Sequence, residues 1–457
     1  MKVKITGSFK KGDLKVGNVD FATFSLEDHK RIIRELSPHN YHQIPGWECV
    51  AMGEKDCTLI LARDDDGERK EKTVLDFQSM YSVHNFGYKN PRILKAIIDY
   101  LTDKKAPKAL PRALDHTYHT PALTAVTQFA DMDWALFKSG GAEAVETACN
   151  TASTFYHDKR GLEENIKDGP IFVVANGCFH GRTRGPRSFS SSPSARNRFG
   201  PLLPDSCIRH VPFGDAEALR FVLFSNSGLV AAVLLEPIQG EGGVIIPPHG
   251  YLERVRRLCT EYGVLLIFDE IQTGFGRTGT DWVWEQEDVK PDILIFGKAD
   301  GGGIIPVSGI AGRKEIMSCI KPGTEGATWS ATPIQCVAIT ESIRELCDND
   351  LSSEARRKGE IFMSFLNLLK PLFPESIVDV RGRGLFGAIE TTHDGKKLSL
   401  TLLEEGVWAK ETGETGKILR LSPPLTITEE QLFEATEAIK RALRRLEKEE
   451  AQQTFDI

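Results

Sequence analysis

The sequence predicts an α/β protein: a mostly parallel central sheet with helices on both faces, and a smaller α+β domain towards the C-terminus. Three observations predict it. From about residue 81 to residue 300, short apolar runs alternate with helix-patterned stretches, and that alternation implies a parallel sheet covered on both faces. The composition is ordinary for a globular chain, with 457 residues, 40% of them hydrophobic and 26% charged, and a mean hydropathy of -0.25; the length suits two or three domains. Glycine-flanked charged residues stand directly after several of the runs, where ligands collect in such sheets.

In chain order, the first forty residues are polar and weakly patterned and read as an arm. Cys57 to Leu61 reads as a strand running into the turn Asp64-Asp65-Asp66-Gly67. Pro91–Leu101 reads as a helix. Trp134–Phe137, Ile171–Ala175, Leu229–Leu235, Val264–Phe268 and Ile293–Phe296 read as buried strands. The stretch Gly250 to Cys259 has a helical pattern. Beyond about Ala338 the chain is helical, with strands near Val378–Val380 and Ile418–Leu421 and a charged amphipathic helix over Glu429–Glu450. The division expected is an N-terminal arm and segment over 1–90, a large domain over 91–337 and a small domain over 338–457.

Several classes are disfavoured. Lys plus Arg number 57 against 64 Asp plus Glu, for a formal charge of -7 and a pI near 6.0, which is not the basic footprint of a nucleic-acid-binding domain. No apolar run approaches the roughly 20 residues that span a bilayer. Nine cysteines without a CxxC pair argue against a disulfide framework and for a reducing compartment; no metal is expected. The N-terminus lacks an apolar signal core and carries Asp13 and Asp20, so a cytoplasmic protein is expected.

The chemistry is read from four strand ends. The run ending at Phe137 leads into Lys138-Ser139-Gly140-Gly141-Ala142-Glu143 and a helix, which suits either a tight turn or backbone N–H groups offered to a phosphate. The run ending at Phe268 leads into Asp269-Glu270-Ile271-Gln272. An ionised Asp there is either a helix cap or the partner of a protonated ring nitrogen. The run ending at Phe296 leads into Gly297-Lys298-Ala299-Asp300-Gly301, where the lysine is either a surface residue or a Schiff-base nucleophile. The fourth, Glu236-Pro237-Ile238-Gln239-Gly240-Glu241-Gly242-Gly243, offers two carboxylates around a turn, or a solvated loop.

A phosphate cradle, an acidic ring partner and a lysine nucleophile on successive strands are the needs of pyridoxal phosphate. The stretches SGGAEAVETA, FHGRT, EPIQGEGG, FDEIQTGFGRTG and GKADGGG resemble the class III (subgroup II) aminotransferases of fold type I, over nearly the whole chain. Within that family the chain is most similar to the ornithine aminotransferases, in stretches such as Asn40-Tyr41-His42, Ser79-Met80-Tyr81-Ser82-Val83 and Arg420-Leu421-Ser422-Pro423-Pro424. The resemblance implies pyridoxal 5'-phosphate held by Lys298 as Schiff-base lysine and proton shuttle, by Asp269 at the pyridine nitrogen, by Phe179 on the ring face and by Gln272 at the phenolic oxygen. Gly141 and Ala142 would meet the phosphate, with Thr328 supplied across the two-fold axis of a homodimer with shared active sites. It further implies that Arg420 binds the α-carboxylate of glutamate, that Glu241 covers Arg420 when ornithine enters, that Arg182 and Tyr41 take the distal carboxylate, and that Tyr81 accompanies ornithine. The implied reaction moves the δ-amine of L-ornithine to 2-oxoglutarate.

The chain departs from the family pattern at Gly140, where Ser or Thr is usual, at His180, where ornithine aminotransferases carry Trp, and at Asp300, Ala327 and Thr332. Acetylornithine, lysine or another ω-amino compound is the alternative donor. An aminomutase or decarboxylase on the same scaffold has no need of a Glu241–Arg420 switch, and a binder without turnover has no need of Lys298 with Asp269.

Overall fold

The computed structural model describes residues 50–55, 57–65, 68–109, 114–161, 170–197 and 199–455. The expected arm, Tyr41 and the Asp66-Gly67 turn lie outside them. The chain forms two units, Met1–Gly53 with Ile60–Lys72, and Glu54–Leu59 with Thr73–Ile457. Every candidate site residue within the described part falls in the second unit.

In chain order the elements are β1 (Val50–Lys55), β2 (Thr58–Asp65), β3 (Glu68–Asp76), α1 (Pro91–Thr102), α2 (His119–Phe129), β4 (Trp134–Lys138), α3 (Gly141–Arg160), β5 (Ile171–Ala175), β6 (Ile208–Val211), α4 (Ala216–Ser225), β7 (Val230–Leu235), α5 (Tyr251–Tyr262), β8 (Leu265–Asp269), β9 (Ile293–Gly297) and β10 (Ser308–Gly312). There follow α6 (Pro333–Asp348), α7 (Leu351–Leu369), β11 (Ile377–Arg383), β12 (Phe386–Thr391), α8 (Gly395–Glu404), β13 (Val407–Trp408), β14 (Lys410–Thr412), β15 (Ile418–Leu421) and α9 (Glu429–Phe455).

The central sheet has seven strands in the order β4-β10-β9-β8-β7-β5-β6. It is parallel except for β10, which runs antiparallel to both neighbours. Successive side chains of a strand face opposite sides, and both sides are covered here. Val173, Leu266, Phe268, Leu294 and Phe296 enter one apolar cluster, while Phe172, Val174, Leu265, Ile267, Ile293 and Ile295 enter the other. That double burial is why these strands read as continuous apolar runs. A second sheet, β11-β12-β15-β14, is antiparallel. The first sheet falls within 91–337 and the second within 338–457, whereas the contacts within 73–457 form one unit.

Two features tie the segments around the site together. Arg277 is fully buried and donates to the carbonyls of Leu385 and Pro423 and to Asn85 Oδ1, at 2.9, 2.5 and 2.5 Å. Burial brings its guanidinium down to about 9. Second, α7 rides on bare backbone: a Cβ on Gly359 would run into the carbonyl of Gly384, and one on Gly384 into Thr278 and Gly279. Among the described residues no helix is long and apolar enough to cross a membrane.

Gly359→Ala therefore sets two effects against each other. Helix propensity alone would stabilise by about 1 kcal/mol, but a methyl driven into a backbone carbonyl has no flexible neighbour to displace. The expected result is a net loss of about 1–3 kcal/mol, read as a lower denaturant midpoint with an unchanged slope. A raised midpoint would contradict the packing described for α7.

Candidate active site

The site lies along the carboxyl ends of β4, β5, β7, β8 and β9, where a doubly covered sheet leaves backbone and side chains free to meet a ligand. After β4, Ser139 and Gly140 lead into α3, a helix of 20 residues. The Glu143 carboxylate accepts the N–H groups of Ser139 (3.2 Å) and Gly140 (3.0 Å). The next two residues, Gly141 and Ala142, begin the helix against other loops of the site. A Cβ on Gly141 would stand 3.0 Å from Ile271, and one on Gly181 2.8 Å from the Ala142 methyl. Small residues are needed for that approach, and the first-turn N–H groups and dipole of such a helix suit a phosphate.

β8 ends on Asp269, which is buried. Its Oδ2 is paired with His180 Nδ1 at 2.7 Å and its Oδ1 accepts the Ile271 N–H at 3.2 Å. Burial works against charge on His180, but Cys178 and the Asp269 carboxylate more than offset it, and the imidazole holds its proton well above the usual range. Two other polar atoms in this corner are buried without a partner, His180 Nε2 and Gln272 Nε2. A Cβ on Gly240 would collide with Gln272 Oε1, so the glycine makes room for that amide. Phe179 donates its N–H to Glu236 Oε1 at 2.8 Å, and Gly240 donates to Glu236 Oε2 at 3.0 Å.

Lys298 follows β9 with φ of 62°, a left-handed conformation uncommon outside glycine. Burial brings its ammonium down to about 8; the Glu241 carboxylate opposes this, Arg420 reinforces it, and Asp269 and Glu236 oppose it. These four groups and Lys298 thus share one field. An amine poised at that value has a substantial neutral, nucleophilic fraction near neutral pH.

The last part of the site comes from the second sheet. Arg420 on β15 is 1% exposed, and its Nη1 donates to Glu241 Oε1 at 2.5 Å while Nη2 is buried without a partner. Burial pushes the Glu241 carboxyl up, but Arg420 outweighs it and the net shift is downward. The Arg420 guanidinium lies 4.9 Å from the centre of the Tyr81 ring, a cation–π distance. Tyr81 sits in a run of four left-handed residues, Ser79 to Ser82 with φ of 45°, 47°, 62° and 74°. The run is anchored by Asp76, whose Oδ1 accepts the Gln78 and Ser79 N–H groups at 2.8 and 2.9 Å.

The structure thus brings together Gly141, Ala142, Phe179, Asp269, Gln272, Lys298, Glu241, Tyr81 and Arg420. Arg182 is exposed, with its guanidinium 5.8 Å from the Phe179 ring. It lines, with Phe179, Glu241 and Gly242, a cleft of about 800 Å³. Thr328 is not brought there by its own chain: it lines a separate hollow of about 430 Å³ with His116, His119, Glu325 and Thr332. Two departures from the family pattern acquire a physical role. His180 is the partner of Asp269, and Thr332 closes the start of α6, its N–H donating to Gln335 Oε1 at 3.0 Å. Asp300 is buried with both carboxylate oxygens unpartnered, and burial raises it.

Three further charged groups stand at the site, of which the sequence singles out only Glu236. Glu236, for which a solvated loop was one reading, is buried and pushed up to about 7, chiefly by burial. Its position directly after an all-buried strand was the available signal. Glu270 is buried, accepts the N–H groups of Val283 (2.7 Å) and Trp284 (3.2 Å), and is pushed up to about 8 by burial. Lys410, whose Nζ donates to the Tyr81 hydroxyl at 3.2 Å, carried no motif.

A bare helix start, an ion-paired aspartate, an unpartnered glutamine amide and a depressed lysine fit the phosphate, ring nitrogen, phenolic oxygen and aldehyde of pyridoxal phosphate. The family model for aminotransferase class-III matches residues 50–443. The chain belongs to the class III aminotransferases. A mitochondrial ornithine aminotransferase of Arabidopsis thaliana is 38% identical over 415 residues, 90% of this chain and 83% of that one. The ornithine aminotransferase of Toxoplasma gondii superposes with a TM-score of 0.84 at 31% identity, covering 93% of this chain and 96% of that one. An acetylornithine aminotransferase from Elizabethkingia anophelis superposes with a TM-score of 0.79 at 34% identity, covering 93% and 100%. This class III aminotransferase is therefore a pyridoxal-phosphate-dependent transaminase of fold type I.

In the apoenzyme, the Lys298 amine is expected to capture an aromatic aldehyde at a rate that rises with pH and levels off above about 8. Glu241→Gln removes the foremost carboxylate holding the proton on Lys298, so the midpoint should move to lower pH. A midpoint near the ~10.4 of a free lysine, or one indifferent to Glu241, would contradict the shared field.

Proposed function

We propose that this enzyme moves the terminal (δ) amino group of L-ornithine to 2-oxoglutarate, giving glutamate and glutamate semialdehyde. The observation that carries the reading is the pairing of half-buried Glu241 with buried Arg420, whose guanidinium stands against the Tyr81 ring. A transaminase of this kind must accept in turn a diamino acid that presents its distal amine and a dicarboxylate that presents its α-amine. A guanidinium left unpaired in a closed pocket costs several kcal/mol. Glu241 neutralises Arg420 for the first substrate and yields it to the α-carboxylate of the second. The bidentate fork of an arginine then fixes the orientation of that carboxylate. Arg182 takes the distal carboxylate of the dicarboxylate.

Bound pyridoxal phosphate supplies an electron sink that lets the C–H bond beside the transferred amine be broken. The residues of this chain do the rest. Asp269, fixed by His180 and the Ile271 N–H, holds a proton at the ring nitrogen. Phe179 would cover a face of the ring, Gln272 would meet the phenolic oxygen, and Gly141 and Ala142 would orient the phosphate. Lys298 carries the proton to and from the reacting carbon, a task for an amine brought near neutrality.

The reading extends to assembly and place. Thr328, remote from its own chain's cleft, is proposed to reach the site of a second copy in a homodimer. Residues 91–337 are proposed as the cofactor-binding domain and 338–457 as the small domain, in a cytoplasmic enzyme. The likeness to an acetylornithine aminotransferase supports that donor as a second reading, since it too presents a distal amine and alternates with a dicarboxylate.

Stopped-flow measurement of each half-reaction tests the switch. Glu241→Gln is expected to slow the ornithine half about 10–100-fold, equivalent to ~1.4–2.8 kcal/mol, with much less effect on the glutamate half. Arg420→Lys should do the reverse, because a point charge lacks the fork. Equal slowing of both halves by both variants would overturn the reading. Separately, borohydride is expected to fix the cofactor on Lys298, and Lys298→Ala to keep the cofactor but lose turnover. Peptide mapping to another lysine would sink that assignment.

A further inference from the structure

The turn bearing Glu241 is held from behind by a strand that carries a second cation. β14 runs antiparallel to β15 with Lys410 directly opposite Arg420. Opposed residues send their side chains to the same face with Cβ atoms about 5 Å apart, and like charges so placed repel. Both cations also meet Tyr81. Arg420 lies 4.9 Å and Lys410 Nζ 5.9 Å from the ring centre, and Lys410 donates to the hydroxyl at 3.2 Å. The anion that relieves this pair is Glu241, whose carboxyl is held down by Arg420, Lys298 and Lys410 against burial.

The main chain of Glu241 is fastened to the same strand. Its carbonyl accepts Thr412 Oγ1 at 2.9 Å and the Gly413 N–H at 3.0 Å. A carboxylate leaving Arg420 therefore moves by side-chain torsion, with its backbone fixed. A substrate carboxylate and Glu241 at one guanidinium that is 1% exposed would repel each other, so the incoming carboxylate displaces Glu241. Of the other two cations that act on Glu241, Lys298 is committed to the reacting carbon. Lys410 remains.

We propose that Lys410 is a positioning residue for substrate exchange: it receives the Glu241 carboxylate when a dicarboxylate takes Arg420. This rests on the Glu241–Arg420 switch proposed above and adds the place to which the displaced carboxylate goes. It makes Lys410 a determinant of the dicarboxylate half alone, although it need not touch either substrate.

The test uses the holoenzyme, with glutarate, an unreactive five-carbon dicarboxylate, as equilibrium ligand and with the two half-reactions followed separately. Lys410→Met is expected to weaken glutarate binding about tenfold or more and to slow the glutamate half similarly, leaving the ornithine half within about twofold. Lys410→Arg, which keeps the charge, should restore most of the loss. In a Glu241→Gln background no carboxylate needs a new partner, so Lys410→Met should change glutarate affinity by less than about twofold. Unchanged glutarate binding in Lys410→Met, a loss shared by both halves, or a loss that persists in the Glu241→Gln background would each overturn the proposal while leaving the switch intact. If Glu241→Gln alone fails to separate the halves, the switch itself has failed, and this proposal with it.

Discussion

Arg420 is a guanidinium closed off from solvent. One of its terminal nitrogens is spent on Glu241 and the other is buried without a partner, so an acceptor is wanted there before any substrate arrives. Much of the surrounding architecture follows from that requirement. The chain bearing Glu241 turns through Gly240, Gly242 and Gly243, where a side chain would strike Gln272, the Gly177 carbonyl or Ile418. Tyr81 is brought under the guanidinium by four successive left-handed residues, each costing of the order of 1–2 kcal/mol. Asp76 and the Lys410 bond to the hydroxyl oppose that strain.

The same charges reach the chemistry. Glu241 raises and Arg420 lowers the proton affinity of Lys298, against the larger effect of burial. The Arg420–Glu241 pair and the Lys298 amine thus share one field. On the opposite side of the cleft, His180 fixes Asp269, and Glu236 ties the Phe179 and Gly240 backbones together. Phe179 and Gly240 are therefore joined through one carboxylate, and His180, next in the chain to Phe179, carries the bond to Asp269.

Much of this was legible in the sequence, for physical reasons. Strands buried on both faces betray themselves as apolar runs: Ile171–Ala175 has the same limits in the structure as in the sequence, and β4, β7, β8 and β9 differ by no more than one residue at either end. Lys298 and Asp269 stood out because charge directly after such a run needs a reason. β10, Ser308–Gly312, escaped notice because its glycines pack against Phe296 and backbone, so it carries little apolar signal. β12 and β14 pair locally, with β11 and β15 across short turns, but FGAIET and KET are too short or too polar to show as apolar runs. Lys410 lies in the shortest and most polar of these strands, and its meaning comes from standing opposite Arg420 in that hairpin. His180 looked like a departure from a pattern until its bond to Asp269 supplied the reason for it.

The proposed site alternates between a diamino acid and a dicarboxylate. The most direct measurement mixes the yellow holoenzyme with single amines, without an oxo acid, and follows loss of the visible absorbance as the cofactor takes up the amine. The account predicts that L-ornithine discharges the colour fastest, well ahead of N-acetylornithine, lysine and short ω-amino acids, and that glutamate does so from the other half-reaction. Faster conversion by N-acetylornithine or by a short ω-amino acid than by ornithine would contradict it.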